Sequence, residues 1–190
     1  MSKPFILDST FSNENYTQNR LPRGEYENCI FERCNFENSL LDNQNFMECT
    51  FIECNLSSSN ITNTIFKEVS FVQCKMLGIP FESCNTFLID FTFDTCVLNL
   101  SSFYGLTLKN QFFKGCTLKQ VDFTKTQLSE VIFSDCDLEQ SIFDRTLLQK
   151  ADLSTAYNYT IDPAINNITK AIFSKEGISG LLTKHNIVIK

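Results

Sequence analysis

Cys116-Thr117-Leu118-Lys119-Gln120-Val121-Asp122-Phe123-Thr124-Lys125-Thr126-Gln127-Leu128 places a large apolar residue at every fifth position, with a smaller one two places before each. A period of five fits neither regular structure. It would smear apolar residues around a helix of 3.6 residues per turn and alternate them across both faces of a strand. A chain that turns a corner every five residues does satisfy it. Each side of a square coil then turns one large and one small side chain inward and the rest outward, and four sides make a coil of 20 residues.

The pattern runs outward in both directions. From Tyr26 the fifth residues are Phe31, Phe36, Leu41, Phe46, Phe51, Leu56, Ile61, Phe66, Phe71, Met76 and Phe81. After a break the series resumes two residues out of phase, from Leu88 and Phe93 through Phe103, Phe113, Phe123, Phe133 and Phe143 to Leu153. The 26 centres include 13 Phe and no polar residue. Eight of the nine cysteines occupy the small position two before a centre, and Cys84 lies beside the break. Gln44 and Phe91 are among the departures from smallness there. In the second series Leu and Phe alternate with period ten, so Phe103, Phe123 and Phe143 stack on one wall, each ring pair adding about 0.5–1.5 kcal/mol beyond area burial. Six and a half coils at about 4.8 Å per layer make a rod about 31 Å long.

A chain of 190 residues with 43% apolar content suits a single domain. Its net charge of −6, from 22 acidic and 16 basic residues, lacks the footprint of a nucleic-acid or anionic-membrane binder. No opening apolar run reads as a signal peptide and no stretch is long enough to span a bilayer, so a cytoplasmic location and reduced cysteines are expected. Zinc wants four converging ligands, often from short paired motifs. Five-residue spacing instead sends each thiol to a different wall, where cysteine acts as a small hydrophobe. His185, the only histidine, has no patterned nucleophile beside it, and the six dispersed glycines form no phosphate loop. No catalytic residue, metal or cofactor is expected.

The segment Lys150-Ala151-Asp152-Leu153-Ser154 matches in full the consensus Ala-(Asp/Asn)-Leu-X-X, and the pattern over residues 24–155 resembles the pentapeptide-repeat family. The resemblance implies an all-β fold, the right-handed quadrilateral β-helix. Cysteine in the small position, as in Asn28-Cys29-Ile30-Phe31, is similar to the Cys-rich variant among the Qnr-type quinolone-resistance proteins. It implies a non-enzymatic interaction protein. Qnr-type proteins offer an acidic rod of roughly DNA width to the DNA-binding saddle of type II topoisomerases, which makes DNA gyrase or topoisomerase IV the implied partner. Their longer loops, which matter for action on gyrase, have no counterpart within these repeats. The other function class is a structural scaffold with a different protein partner.

The candidate partner-binding residues are the acids Glu27, Glu32, Glu37, Asp42, Glu48 and Glu53. A second acidic cluster spans 130–152, and Lys109, Lys114, Lys119 and Lys125 lie between the two. A solubilising surface explains the same charges equally well. A 31 Å stretch of duplex carries about 18 charges, so a chain at −6 has to rely on shape and local patches.

Both ends need caps, because an open β-helix exposes unpaired backbone and core. Residues 1–23 are assigned to an N-terminal cap. After Ile161 the period stops, and Asp162-Pro163 predicts a helix to about Ala171. A weaker helix over Ser174–Leu182 and a brief strand over Ile187–Ile189 are expected to follow. This module over 156–190 resembles the one through which several pentapeptide-repeat proteins form two-fold dimers. The candidate dimer contacts are Ile178, Leu181, Leu182, Ile187 and Ile189. The phase break near 82–87 predicts a corner bulge or a slight kink.

Overall fold

A computed structural model describes residues 3–188. Its strands are two to four residues long: β1 (Phe5–Leu7), β2 (Thr10–Ser12), β3 (Glu25–Glu27), β4 (Ile30–Glu32), β5 (Asn45–Met47), β6 (Thr50–Ile52), β7 (Ile65–Lys67), β8 (Val69–Val72), β9 (Phe91–Asp94), β10 (Phe112–Lys114), β11 (Ile132–Ser134), β12 (Asp152–Leu153) and β13 (Ile172–Phe173). All pairings are parallel. One wall is the sheet β1-β3-β5-β7, and the next stacks nine strands from β2 to β13. The other two walls are rows of single-residue bridges, such as Asn15, Asn35, Asn55, Lys75, Val97, Thr117, Asp137 and Tyr157. The fold is a four-walled parallel β-solenoid.

The corners explain the period locally. The residue two after a centre turns into the left-handed region, as at Asn28 (φ 49°), Arg33 (φ 51°), Lys125 (φ 58°) and Lys150 (φ 58°). This conformation costs an L-residue about 1–2 kcal/mol, and asparagine, which tolerates it best, supplies 8 of the 25 non-glycine instances. What offsets the cost is the interior. The centres stack as Phe11, Phe31, Phe51, Phe71, Phe93, Phe113 and Phe133 on the nine-stranded wall, with ring centroids 4.7–5.4 Å apart. On the opposite wall Phe81, Phe103, Phe123 and Phe143 stack at 4.5–5.4 Å, and adjacent walls meet edge to face.

The stack extends past residues 24–155 at both ends. β1 and β2 pair with β3 and β4, so the first coil lies within the segment assigned to the N-terminal cap. Its inward residues Ile6, Phe11, Tyr16 and Leu21 continue the five-residue phase of Tyr26. Nine stacked strands make eight steps, or about 38 Å, against the 31 Å expected.

The helical cap is corrected. Among the described residues there is no α-helix. Asp162 does turn the chain, its carboxylate accepting the Ala164 N–H (2.8 Å), but the segment then rejoins the stack. Asn167 N–H donates to Thr146 O and Ile172 N–H to Ala151 O. A short run rich in Asn, Ile and Thr is a poor isolated helix, and the edge of the preceding coil offers its backbone ready partners. From Gly177 to His185 two 3₁₀ turns replace the second helix. They close on the buried Tyr159: a Cβ at Gly177 would fall 2.1 Å from its hydroxyl, and one at Gly180 2.2 Å from its carbonyl oxygen. Ile187 and Val188 pair with no strand, and Ile189 lies outside the described residues.

The break is a bulge at one corner. Asn63 bonds Ser83 at a separation of 20, whereas Val69 pairs with Phe91 at 22. The two extra residues are taken up around the three-residue 3₁₀ turn Thr86–Leu88, capped by Asn85. Phe91 turns inward in the small position and its ring meets those of Phe66, Phe81 and Phe93, which accounts for the bulk there.

Candidate functional site

The interior holds a column of Cys34, Cys54, Cys74, Cys96, Cys116 and Cys136, one per coil. Each thiol donates to a carbonyl of the preceding coil, at Phe11, Phe31, Phe51, Phe71, Phe93 and Phe113 in turn, over 3.2–3.6 Å. Thr64, Thr126 and Thr146 cap equivalent carbonyls at 2.6–2.8 Å. The small position therefore selects a short donor as well as a small volume. All nine cysteines are free and buried, and burial pushes the Cys49 and Cys84 thiols up to about 12. A thiol that is neither ionised nor exposed is inert. The native protein is accordingly expected to react slowly with a thiol-specific dye at neutral pH; rapid labelling of most of the nine would place the columns outside the core.

The acidic residues distribute as a ring. Glu27 lies on the β3 wall, Glu32 on the β4 wall, Glu37 and Asp42 on the two bridge walls, and Glu48 and Glu53 at successive corners of the next coil. Residues close in sequence wind around the rod, and a continuous face needs a spacing of 20. Asp42 is held by Arg20 (2.7 Å) and Arg23 (2.9 Å), and Glu32 pairs with Arg33 (3.1 Å). Burial works against the Asp42 carboxylate, but the Asn43 amide and the two guanidiniums outweigh it and hold its pKa below the ordinary value.

What the linear run hides is a corner column of Asp8, Asn28, Glu48 and Glu68, with Glu25 and Glu27 on the adjoining wall. The Asn28 amide bonds Asp8 (2.6 Å). The signal for this column was the 20-residue spacing.

The lysines are paired along the rod at the same spacing: Lys114 with Asp94 (2.9 Å), Lys119 with Glu139 (2.6 Å) and Lys150 with Glu130 (2.8 Å). Lys125 lies over the Tyr104 ring, 5.3 Å from its centroid. Exposed pairs of this kind contribute little stability, yet they neutralise two of the four stripe lysines, Lys114 and Lys119. At the C-terminal end, Ile178 and Ile187 are about half exposed and Leu181 and Leu182 partly covered. His185 is exposed on the second 3₁₀ turn.

The coil period, the inward Phe column and the short donors beneath it are those of one repeat, and residues 44–123 match the family model described as a pentapeptide repeat region. The rod has the fold of the pentapeptide-repeat β-helices. No curated protein matches the chain by sequence. Among solved structures, a trypsin-treated variant of QnrB1, a plasmid-mediated fluoroquinolone resistance protein, is 18% identical over 98% of this chain and 99% of its own, with a TM-score of 0.50. A second trypsin-treated QnrB1 variant is 17% identical over 98% and 100%, with a TM-score of 0.49. HetL, a pentapeptide repeat protein involved in heterocyst differentiation regulation in Nostoc sp. strain PCC 7120, is 14% identical over 92% and 88%, with a TM-score of 0.43. At these identities the likeness concerns the pentapeptide-repeat fold. No helix among the described residues is long and apolar enough to cross a membrane.

Proposed function

We propose that this pentapeptide-repeat rod is a non-enzymatic interaction protein that engages a type II topoisomerase, DNA gyrase or topoisomerase IV, and protects it from quinolone-type poisons. The observation that carries the reading is the acidic corner of Asp8, Glu48 and Glu68 beside Glu25 and Glu27, of which, among the described residues, only Glu68 is ion-paired, to Lys67 of the same wall (3.6 Å). Such a face fits a cationic groove built for a duplex, through local charge rather than total charge. The fold shared with QnrB1, itself a fluoroquinolone resistance protein, supports the same partner class. In this proposal two copies pair through the C-terminal residues Ile178, Leu181, Leu182 and Ile187, since a self-complementary apolar patch at one end suits a two-fold contact.

The test is DNA supercoiling by purified gyrase with and without a quinolone, with sedimentation of the same preparation. The chain is expected to restore supercoiling in the presence of the drug, and a Glu27→Lys, Glu48→Lys variant to do so about tenfold less well, as for loss of two interfacial charges. Unchanged drug sensitivity at micromolar protein would sink the topoisomerase role, and a monomer at that concentration would remove the dimer. A scaffold with another partner is the second reading, favoured by the ring-like spread of the six carboxylates and the pairing of Asp42 and Glu32 within the chain.

A further inference from the structure

One wall of the solenoid is a row of identical two-bond rungs. Phe36 N–H donates to Asn55 O (2.7 Å) while Asn55 N–H donates to Cys34 O (3.0 Å). The pattern repeats at Lys75, Val97, Thr117, Asp137 and Tyr157, ending with Leu138 N–H to Tyr157 O (3.0 Å) and Tyr157 N–H to Cys136 O (3.0 Å). The next rung would use Ala156 C=O as acceptor and Asn158 N–H as donor. Among the described residues neither has a partner. The chain's own tail passes this rung by. It closes the stack one wall further on, where Ile161 N–H donates to Gly180 O (3.0 Å).

The tail and the open rung enclose a groove of about 910 Å³, whose lining includes Glu139, Ala156, Tyr157, Asn158, Glu176 and Ile187. No lysine or arginine lines it. Lys119 is spent on Asp137 (3.1 Å) and Glu139 (2.6 Å), and Lys184 is spent on Asp162. Glu139 is compensated by Lys119, whereas Glu176 makes no ion pair among the described residues, so the groove joins an unfilled backbone donor and acceptor to one uncompensated carboxylate.

We infer that the groove captures an extended peptide segment of a partner protein, carrying a lysine or arginine, which adds the next rung on Ala156 and Asn158. Backbone pairing supplies the bonds and the Glu176 carboxylate selects the side chain, as in recognition by strand addition. The volume falls within the range of ordinary ligand sites. The inference goes beyond the topoisomerase reading and does not rest on it; because Leu182 and Ile187 also line the groove, peptide capture and the two-fold contact proposed above are alternative uses of this surface.

The probes are dye-labelled, end-blocked hexapeptides: Thr-Val-Lys-Val-Lys-Thr, the same chain with Glu for Lys, and the basic chain N-methylated at alternate residues. Fluorescence anisotropy with the full chain is expected to saturate with the basic peptide. Binding should be about tenfold weaker for the Glu peptide and about tenfold weaker for the N-methylated one, the second being the loss of a backbone bond. The surface substitution Glu176→Lys is expected to weaken the basic peptide similarly, and Ser179→Trp to block the groove. By NMR, the Asn158 amide should exchange freely in the protein alone and slow about tenfold with peptide, as a new rung requires. No saturation at millimolar peptide, or equal binding of the N-methylated chain, overturns the inference. Asn158 protection in the free protein that grows with protein concentration also overturns it, and assigns the rung to a second copy.

Discussion

Phe123→Ala is expected to lower the stability of the rod by about 3–5 kcal/mol, the cost of a large truncation in a core that does not collapse. Phe123 is fully buried, its ring stacked between Phe103 (5.4 Å) and Phe143 (5.2 Å) and edge-on to Phe133 (5.8 Å). Its backbone is fixed from both sides, since Phe123 N–H donates to Ile142 O while Phe103 N–H donates to Asp122 O one coil back. Neighbouring coils cannot close around the void without breaking those bonds, so the cavity term stays near its full size. Two stacking terms, at about 0.5–1.5 kcal/mol each, are lost as well. Equilibrium urea unfolding measures the change. A loss below about 1 kcal/mol would mean that the ring lies outside the ladder.

Gln44→Leu is expected to cost about 3 kcal/mol, although it replaces a polar side chain by an apolar one of similar volume in a fully buried position. Its Oε1 accepts the Gly24 N–H (2.9 Å), and its Nε2 donates to the carbonyls of Leu21 and Pro22 (both 3.1 Å). The first coil crosses a Leu21-Pro22-Arg23-Gly24 corner that lacks the ordinary short donor, and the amide bridges the gap. Leucine strands three buried backbone groups at roughly 1–3 kcal/mol apiece before relaxation. Asn166 plays the same part at the other end: its Oδ1 accepts the Thr146 N–H (2.8 Å) and its Nδ2 donates to Phe143 O (2.9 Å). Urea unfolding of the variant is the check, and a change under about 0.5 kcal/mol would mean that water replaces the amide.

The buried amides show where legibility in the sequence ended. Gln44 stands out as a departure from a small position, but nothing in the linear pattern says which backbone groups it serves. The first coil is legible in the sequence as well, since Ile6, Phe11, Tyr16 and Leu21 keep the phase of Tyr26 within the segment assigned to a cap. The expected helix over 162–171 failed because a capping carboxylate and proline are local signals, whereas the edge of the preceding coil competes for the same backbone. The acidic candidates were correctly seen as outward, yet six residues at a spacing near five circle a four-sided rod, and the column of Asp8, Glu48 and Glu68 emerges only at a spacing of 20.

By itself the sequence determined the period, and with it the solenoid, its Phe columns, the inward cysteines and the break near 82–87 where two residues are in excess. These follow from burial, since a chain that turns a corner every five residues points one large and one small side chain of each five inward. Only the tertiary structure decided which charges neutralise one another across coils, how Tyr159 with Gly177 and Gly180 closes the end, and that the Ala156 carbonyl and Asn158 amide are left without a rung. Each of these depends on atoms about 20 residues apart meeting at a particular layer, and at the last layer no further repeat exists to dictate the partner.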